Sequence, residues 1–157
     1  MGPLDQRPGS EQAGLIGMLT NIDETQTSDG AITPDALQAL AALKAAGLRV
    51  IPITGRPVGW GEAFAAAWPV DAIVAENGAV ALVADQENNS QIGPGGTAGK
   101  RRKLSKIYQQ DAATRSANFA RMQAVLAQIE AMVPGAQRAT DSGGRETDIA
   151  IDHSEFV

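Results

Sequence analysis

Three short segments place polar or charged side chains directly after apolar runs. Asn21-Ile22-Asp23-Glu24-Thr25 begins where the run Leu15 to Asn21 ends. Thr54-Gly55-Arg56 closes the run Arg49 to Thr54, and Glu76-Asn77-Gly78 follows Ala72 to Ala75. If each run is a strand of an open parallel sheet, these residues face one crevice, because ligands bind beyond the carboxyl ends of such strands. Asn21, Asp23 and Thr54 are then expected to converge. The plainer alternative is that Asp23 and Thr25 only cap a turn, as Asx and Ser/Thr side chains commonly do after strands.

The elements that must position these residues are legible from periodicity. The first run reads as a buried strand. Thr33-Pro34 then opens a helix, with Thr as N-cap and Pro at the first helical position, and Leu37, Leu40, Ala41 and Leu43 form its apolar stripe up to Gly47. Arg49 to Thr54 is the second strand. Trp60, Phe64 and Trp68 recur every four residues, so Val58 to Trp68 reads as a helix whose aromatic stripe belongs to the core. Ala72 to Ala75 and Gly78 to Ala84 are two further strands, and Asn77-Gly78 between them is a hairpin signal. Farther along, Ser116 to Val133 has helical spacing, stopped by Pro134-Gly135, and Asp148 to Asp152 alternates like a half-buried strand.

The expected fold is α/β: part of a doubly wound, Rossmann-like parallel sheet with a terminal hairpin, followed by the beginning of an α+β cap. Residues 1–13 read as a disordered leader, 14–84 as the core, 85–100 as a flexible crossing rich in Asn, Gln, Gly, Pro and Ser, and 101–157 as an incomplete cap. Gly95 to Lys100 mimics a phosphate-binding loop, but Pro94 and Arg101 stand where its first Gly and its Ser/Thr belong.

Composition narrows the function classes. With 157 residues, 43% of them hydrophobic, the chain has material for one domain and part of another. It contains no cysteine, which excludes disulfides and thiolate metal sites. A net charge of -5 argues against nucleic acid and anionic membranes as partners. The local basic cluster Lys100 to Lys103, with Lys106, reads as a solvated loop-to-helix junction. No apolar run approaches the ~18 residues of a membrane span, so a cytoplasmic location is expected. His153 reads as a surface residue, and Arg145 and Glu146 as members of surface ion pairs in a cap segment.

Together, Asn21 to Thr25, Asp29-Gly30, Ile32-Thr33, Ile53-Thr54-Gly55-Arg56 and Glu76-Asn77-Gly78-Ala79 resemble the haloacid dehalogenase-like (HAD) phosphatases. The branch they resemble is the one of capped sugar phosphatases, whose cap follows the third strand and hairpin. The likeness covers roughly residues 14 to 84. It implies hydrolysis of a small phosphorylated metabolite, with a sugar phosphate as the expected class, through an aspartyl phosphate and with Mg²⁺ as cofactor. Carried over by position, Asn21 stands at the nucleophile's place, Asp23 is the acid/base and Thr25 supports the loop. Thr54, Gly55, Arg56 and Asn77 line the phosphate or substrate side. Residue 21 and the backbone carbonyl of Asp23 would contact the metal.

This chain departs from the family pattern at Asn21, where the motif has Asp. A carboxamide has no anionic oxygen to attack phosphorus and offers a metal only a neutral ligand. Weak or absent turnover is therefore expected. The family's Lys and final acidic pair follow its cap, and the sequence is expected to lack them. Glu24 and Gln26 also differ from the motif, and Gln26 would place an amide where an apolar side chain packs. The alternative reading is a non-catalytic phosphate-binding or interaction protein. An uncovered edge at the first strand is expected to favour self-association.

Overall fold

The computed structural model describes residues 14–23, 26–28, 31–84 and 103–152. The leader, the crossing, Glu24, Thr25, Asp29, Gly30, Lys100 to Arg102 and His153 lie outside the described residues. In chain order the elements are β1 (Gly17–Asn21), β2 (Thr27–Ser28), β3 (Ala31–Ile32), α1 (Pro34–Ala45), β4 (Arg49–Ile53), α2 (Val58–Ala67), β5 (Ala72–Ala75), a 3₁₀ turn (Glu76–Gly78) and β6 (Val80–Ala84). After these come β7 (Leu104–Tyr108), α3 (Ala112–Met132), β8 (Gln137–Arg138), a second 3₁₀ turn (Ser142–Gly144) and β9 (Ile151–Asp152).

Five strands form one sheet in the order β1-β4-β5-β6-β7. β1 runs parallel to β4 from Gly17↔Arg49 to Asn21↔Ile53, and β4 runs parallel to β5 through Ile53↔Val74. The β5–β6 and β6–β7 pairs are antiparallel. The architecture is thus the α/β one read from the sequence, a partial Rossmann-like sheet ending in a hairpin. Thr33 caps α1 as expected, its Oγ1 accepting the Ala36 N–H at 3.2 Å.

Helix α2 packs on β5 and β6, and α1 on β4. Ile22, Leu40, Val50, Val58, Trp68, Val70, Ile73, Val80 and Leu82 make the core between them. The aromatic stripe belongs to this core: Trp60, Phe64 and Trp68 stack in sequence with ring centroids 4.3 and 4.8 Å apart. At the other end of the sheet, Leu15, Ile16 and Leu19 are exposed, and among the described residues no strand pairs with the outer side of β1.

Several local readings change. Leu104 to Tyr108, which includes part of the basic cluster, is not a solvated junction but the fifth strand, paired with β6 from Val80↔Tyr108 to Ala84↔Leu104. Helix α3 begins four residues earlier than the apolar spacing suggests, at Ala112, because Asp111 accepts the Ala113 and Thr114 N–H groups. The Asn77-Gly78 turn is a 3₁₀ turn in which Glu76 and Asn77 both adopt positive φ, 49° and 56°. Asp148 to Ala150 do not extend β9; Asp148 is drawn instead into an ion pair with Arg145.

Candidate active site

Backbone hydrogen bonds join the three motif segments. The Ile22 N–H donates to the Ile53 carbonyl (3.2 Å), Thr54 N–H to Val74 (2.9 Å), Asn77 N–H to Thr54 (3.2 Å) and Glu76 N–H to Arg56 (3.1 Å). The parallel register puts Asn21 beside Ile53. The residues that close β1, β4 and β5 therefore form one end of the sheet, as a parallel arrangement requires.

Asp23 is at the centre. Its Oδ2 accepts the Thr54 hydroxyl at 2.8 Å, and its Oδ1 accepts the Arg56 Nε at 2.5 Å. Thr54 is buried and also accepts the Arg56 N–H at 3.0 Å, which tightens the Thr54-Gly55-Arg56 turn. The Arg56 guanidinium lies 5.0 Å over the Trp60 ring, so α2 supplies a platform for the charge. Asp23 and Arg56 remain 33% and 41% exposed, so the pair opens to solvent and its net strength is modest.

Asn21 has both ends of its amide engaged. Its Oδ1 accepts the Ile22 N–H at 2.9 Å, and its Nδ2 donates to the Asp23 carbonyl at 3.5 Å. Because only oxygen can accept from an N–H, the first bond fixes which end of the amide faces Asp23. Asn77 closes the opposite wall: its Oδ1 packs so closely on Gly55 that a Cβ there would lie 2.9 Å away, and its Nδ2 donates to Asp148.

The sequence-derived site residues Asn21, Asp23, Thr54, Gly55, Arg56 and Asn77 thus gather at one sheet end, while Thr25 is outside the described residues. As arranged, Asn21 and the Asp23 carbonyl do not fit Mg²⁺. The amide oxygen is turned to Ile22, and the amide nitrogen, a donor, confronts the carbonyl that would be the second ligand. Both Asp23 carboxylate oxygens are already hydrogen-bonded. Among the described residues no three His, Cys, Asp or Glu side chains cluster as metal ligands.

A second polar centre adjoins the first, built on Glu76, which the sequence marks as part of the third motif without giving it a role. Glu76 is buried at 2% exposure. Its Oε1 accepts Val58 N–H (3.0 Å) and Glu146 N–H (2.9 Å); its Oε2 accepts Thr147 N–H (2.7 Å) and the Thr147 hydroxyl. Helix α2 has no side-chain cap of its own, so Glu76 satisfies a first-turn donor and complements the helix dipole. The same carboxylate pins the segment after the second 3₁₀ turn onto the sheet end.

Ion pairs extend this junction. Arg145, with its side chain 8% exposed, bonds Asp148 at 2.7 Å, Asp141 at 3.2 Å and the Gly55 carbonyl at 3.3 Å. Burial raises the Asp148 carboxyl above its ordinary range despite the Arg145 bond that opposes the shift. Glu146 accepts Lys106 at 2.6 Å and the Tyr108 hydroxyl at 2.5 Å. Burial would raise Glu146, but the Lys106 and Tyr108 bonds outweigh it and hold the carboxyl low. Lys106 is correspondingly raised by Glu146 and Glu62, against its own desolvation. Arg145 and Glu146 are therefore ion-pair members, as read from sequence, although buried more deeply than surface pairs usually are.

A sheet of this order, with Asp23, Thr54 and Arg56 joined at its carboxyl end, is that of a doubly wound α/β fold with its polar residues at the expected ligand-binding end. The chain belongs to the haloacid dehalogenase-like hydrolase family, whose model matches residues 18–110. Among solved structures it is similar to Thermoplasma acidophilum 0175, with a TM-score of 0.56 and 13% identity over 88% of this chain and 51% of that one. It is also similar to BT1666 of Bacteroides thetaiotaomicron, a phosphatase of the haloalkanoate superfamily, with a TM-score of 0.38 and 25% identity over 44% of this chain and 26% of that one. The chain thus spans about half the length of the first and a quarter of the second. No curated protein matches it. Among the described residues no helix is long and apolar enough to cross a membrane.

Proposed function

We propose that this chain is a phosphohydrolase-type protein that retains a crevice for a phosphate monoester but has lost efficient turnover. A small phosphorylated metabolite, of the sugar-phosphate class, is the proposed ligand. The observation that carries the reading is the Asn21 amide, hydrogen-bonded at both ends at the position of the family's nucleophile.

Phosphoryl transfer asks a protein for positioning and charge stabilisation, and in this family also for an anionic oxygen that attacks phosphorus. Arg56 supplies charge on a fixed platform, and Thr54 holds Asp23 and the turn that carries Arg56. Asn21 supplies no anionic oxygen. Asp23, the acid/base by resemblance, has a guanidinium and a hydroxyl on its two oxygens, so it must release one before it transfers a proton to a leaving group. Loss of the nucleophile from a concerted set costs on the order of a million-fold in turnover. Mg²⁺ is proposed as the cofactor of the ancestral reaction, with a carboxylate at position 21 as its missing first ligand.

The test is hydrolysis of an aryl phosphate and a sugar-phosphate panel with Mg²⁺, comparing the chain with Asn21→Asp. The expected result is silence for the unaltered chain; turnover restored by Asn21→Asp alone would mean that the substitution at position 21 is the whole lesion. Turnover by the unaltered chain at the rate of the variant would refute the reading.

A further inference from the structure

We infer that the crevice takes its phosphoryl ligand without a divalent cation, on the guanidinium of Arg56. The inference rests on the phosphoryl reading above and goes beyond it in assigning the cationic role. A bridging ion between residue 21 and the Asp23 carbonyl requires two oxygen donors facing one point. Here one of the two is a nitrogen donor: the Ile22 N–H holds the Asn21 oxygen, and Nδ2 is turned to the Asp23 carbonyl. Turning the amide over would present its oxygen but give up the shorter of the two bonds that the Ile22 N–H makes, 2.9 Å to Asn21 against 3.2 Å to the Ile53 carbonyl.

Charge leads to the same assignment. Asn21 is neutral, and the Asp23 carboxylate is matched by Arg56 at 2.5 Å, so their formal charges sum to zero. Mg²⁺ gives up its waters reluctantly and needs carboxylates to replace them. Among the described residues of this crevice it would meet no unmatched carboxylate and would lie beside a guanidinium. For an anion the guanidinium's charge is partly offset by Asp23, so the attraction rests on the hydrogen-bond donors that Arg56 still has to offer. Arg56 uses Nε for Asp23 and one face for Trp60, and its two terminal amino groups make no hydrogen bond among the described residues. Those groups form the planar fork that matches two phosphoryl oxygens, with charge assistance. The Trp60 platform and the Asp23 bond hold the fork in place, which reduces the ordering cost of binding.

Two measurements on the full chain decide the matter. Titration with inorganic phosphate, followed by calorimetry or ³¹P line width, should give the same affinity within about twofold in EDTA and in excess Mg²⁺. Replacement of Arg56 by Gln should weaken it roughly tenfold or more, the loss expected of a charged hydrogen-bond pair, and Arg56→Lys should recover part of that loss. Separately, the Mn²⁺ paramagnetic signal with phosphate present should stay that of the free ion with the chain and diminish with Asn21→Asp. Phosphate binding that appears only with Mg²⁺, or phosphate-dependent capture of Mn²⁺ by the unaltered chain, would overturn the inference while leaving the phosphoryl reading intact. Absence of phosphate binding under both conditions would overturn both.

Discussion

Replacing Glu76 with glutamine preserves the side chain's shape and removes its charge and one acceptor. The carboxylate receives four hydrogen bonds, two on each oxygen. Glutamine keeps one oxygen. If that oxygen stays with Val58 and Glu146, the new amide nitrogen faces the Thr147 N–H, donor against donor; the hydroxyl can rotate to accept, but the backbone N–H cannot. One orphaned donor costs about 1–3 kcal/mol, and the bonds that remain lose their charge assistance. With Glu76 only 2% exposed, water does not soften the loss, so a destabilisation of ~3 kcal/mol is expected. Urea denaturation measures it, and amide hydrogen exchange at Val58, Glu146 and Thr147 locates it, with protection falling at Thr147 first. A change below ~0.5 kcal/mol, with exchange at all three amides unaltered, would refute the claim that this carboxylate joins the two segments.

Asp71 gives a pH-dependent expectation. Burial would raise its carboxyl, but bonds from Lys44 at 2.6 Å, the Val50 N–H at 2.8 Å and Arg49 at 3.2 Å outweigh burial and lower it. A carboxylate held low in the folded state adds stability above its unfolded value, and that contribution disappears as pH falls through the folded one. Denaturation midpoints should therefore fall below about pH 4 more steeply for the chain than for Asp71→Asn, which is already weaker at pH 7; parallel profiles would count against the assignment. Gln26 makes the opposite case. It is 6% exposed and its Oε1 has no hydrogen-bond partner among the described residues, so Gln26→Leu should stabilise by about 1–2 kcal/mol in the same denaturation assay. Unchanged or reduced stability would mean that the amide's environment is more polar than described.

Much of this arrangement was legible because it is local. The apolar runs of β1, β4, β5 and β6 and the Thr33-Pro34 start of α1 carry their own signals, and strand ends in a parallel sheet bring their residues together by geometry. β7 was not legible. Leu104-Ser105-Lys106-Ile107-Tyr108 has three exposed central residues and is held by pairing with β6, a contact that periodicity does not encode. The start of α3 was hidden because its first turn, after Asp111, has no apolar stripe, and only Leu126 of the helix is fully buried. Glu76 stands in the motif, but its role depends on Glu146 and Thr147, about seventy residues away, which spacing does not encode. The Asp23–Arg56 pairing was likewise open: position suggested that both face the crevice, but not that the guanidinium would occupy an oxygen of the proposed acid/base.

The shared carboxylate of Glu76 also bears on how such a chain can be inherited. Its four bonds tie a helix start in one part of the sequence to a loop in another, so neither partner segment is freely exchangeable. A chimaera that replaces the segment around Glu146 and Thr147 must bring one able to offer two consecutive amides and a hydroxyl to this carboxylate, or leave a buried charge half satisfied. The turn at Glu76 and the segment at Thr147 therefore behave as one unit, to be exchanged together.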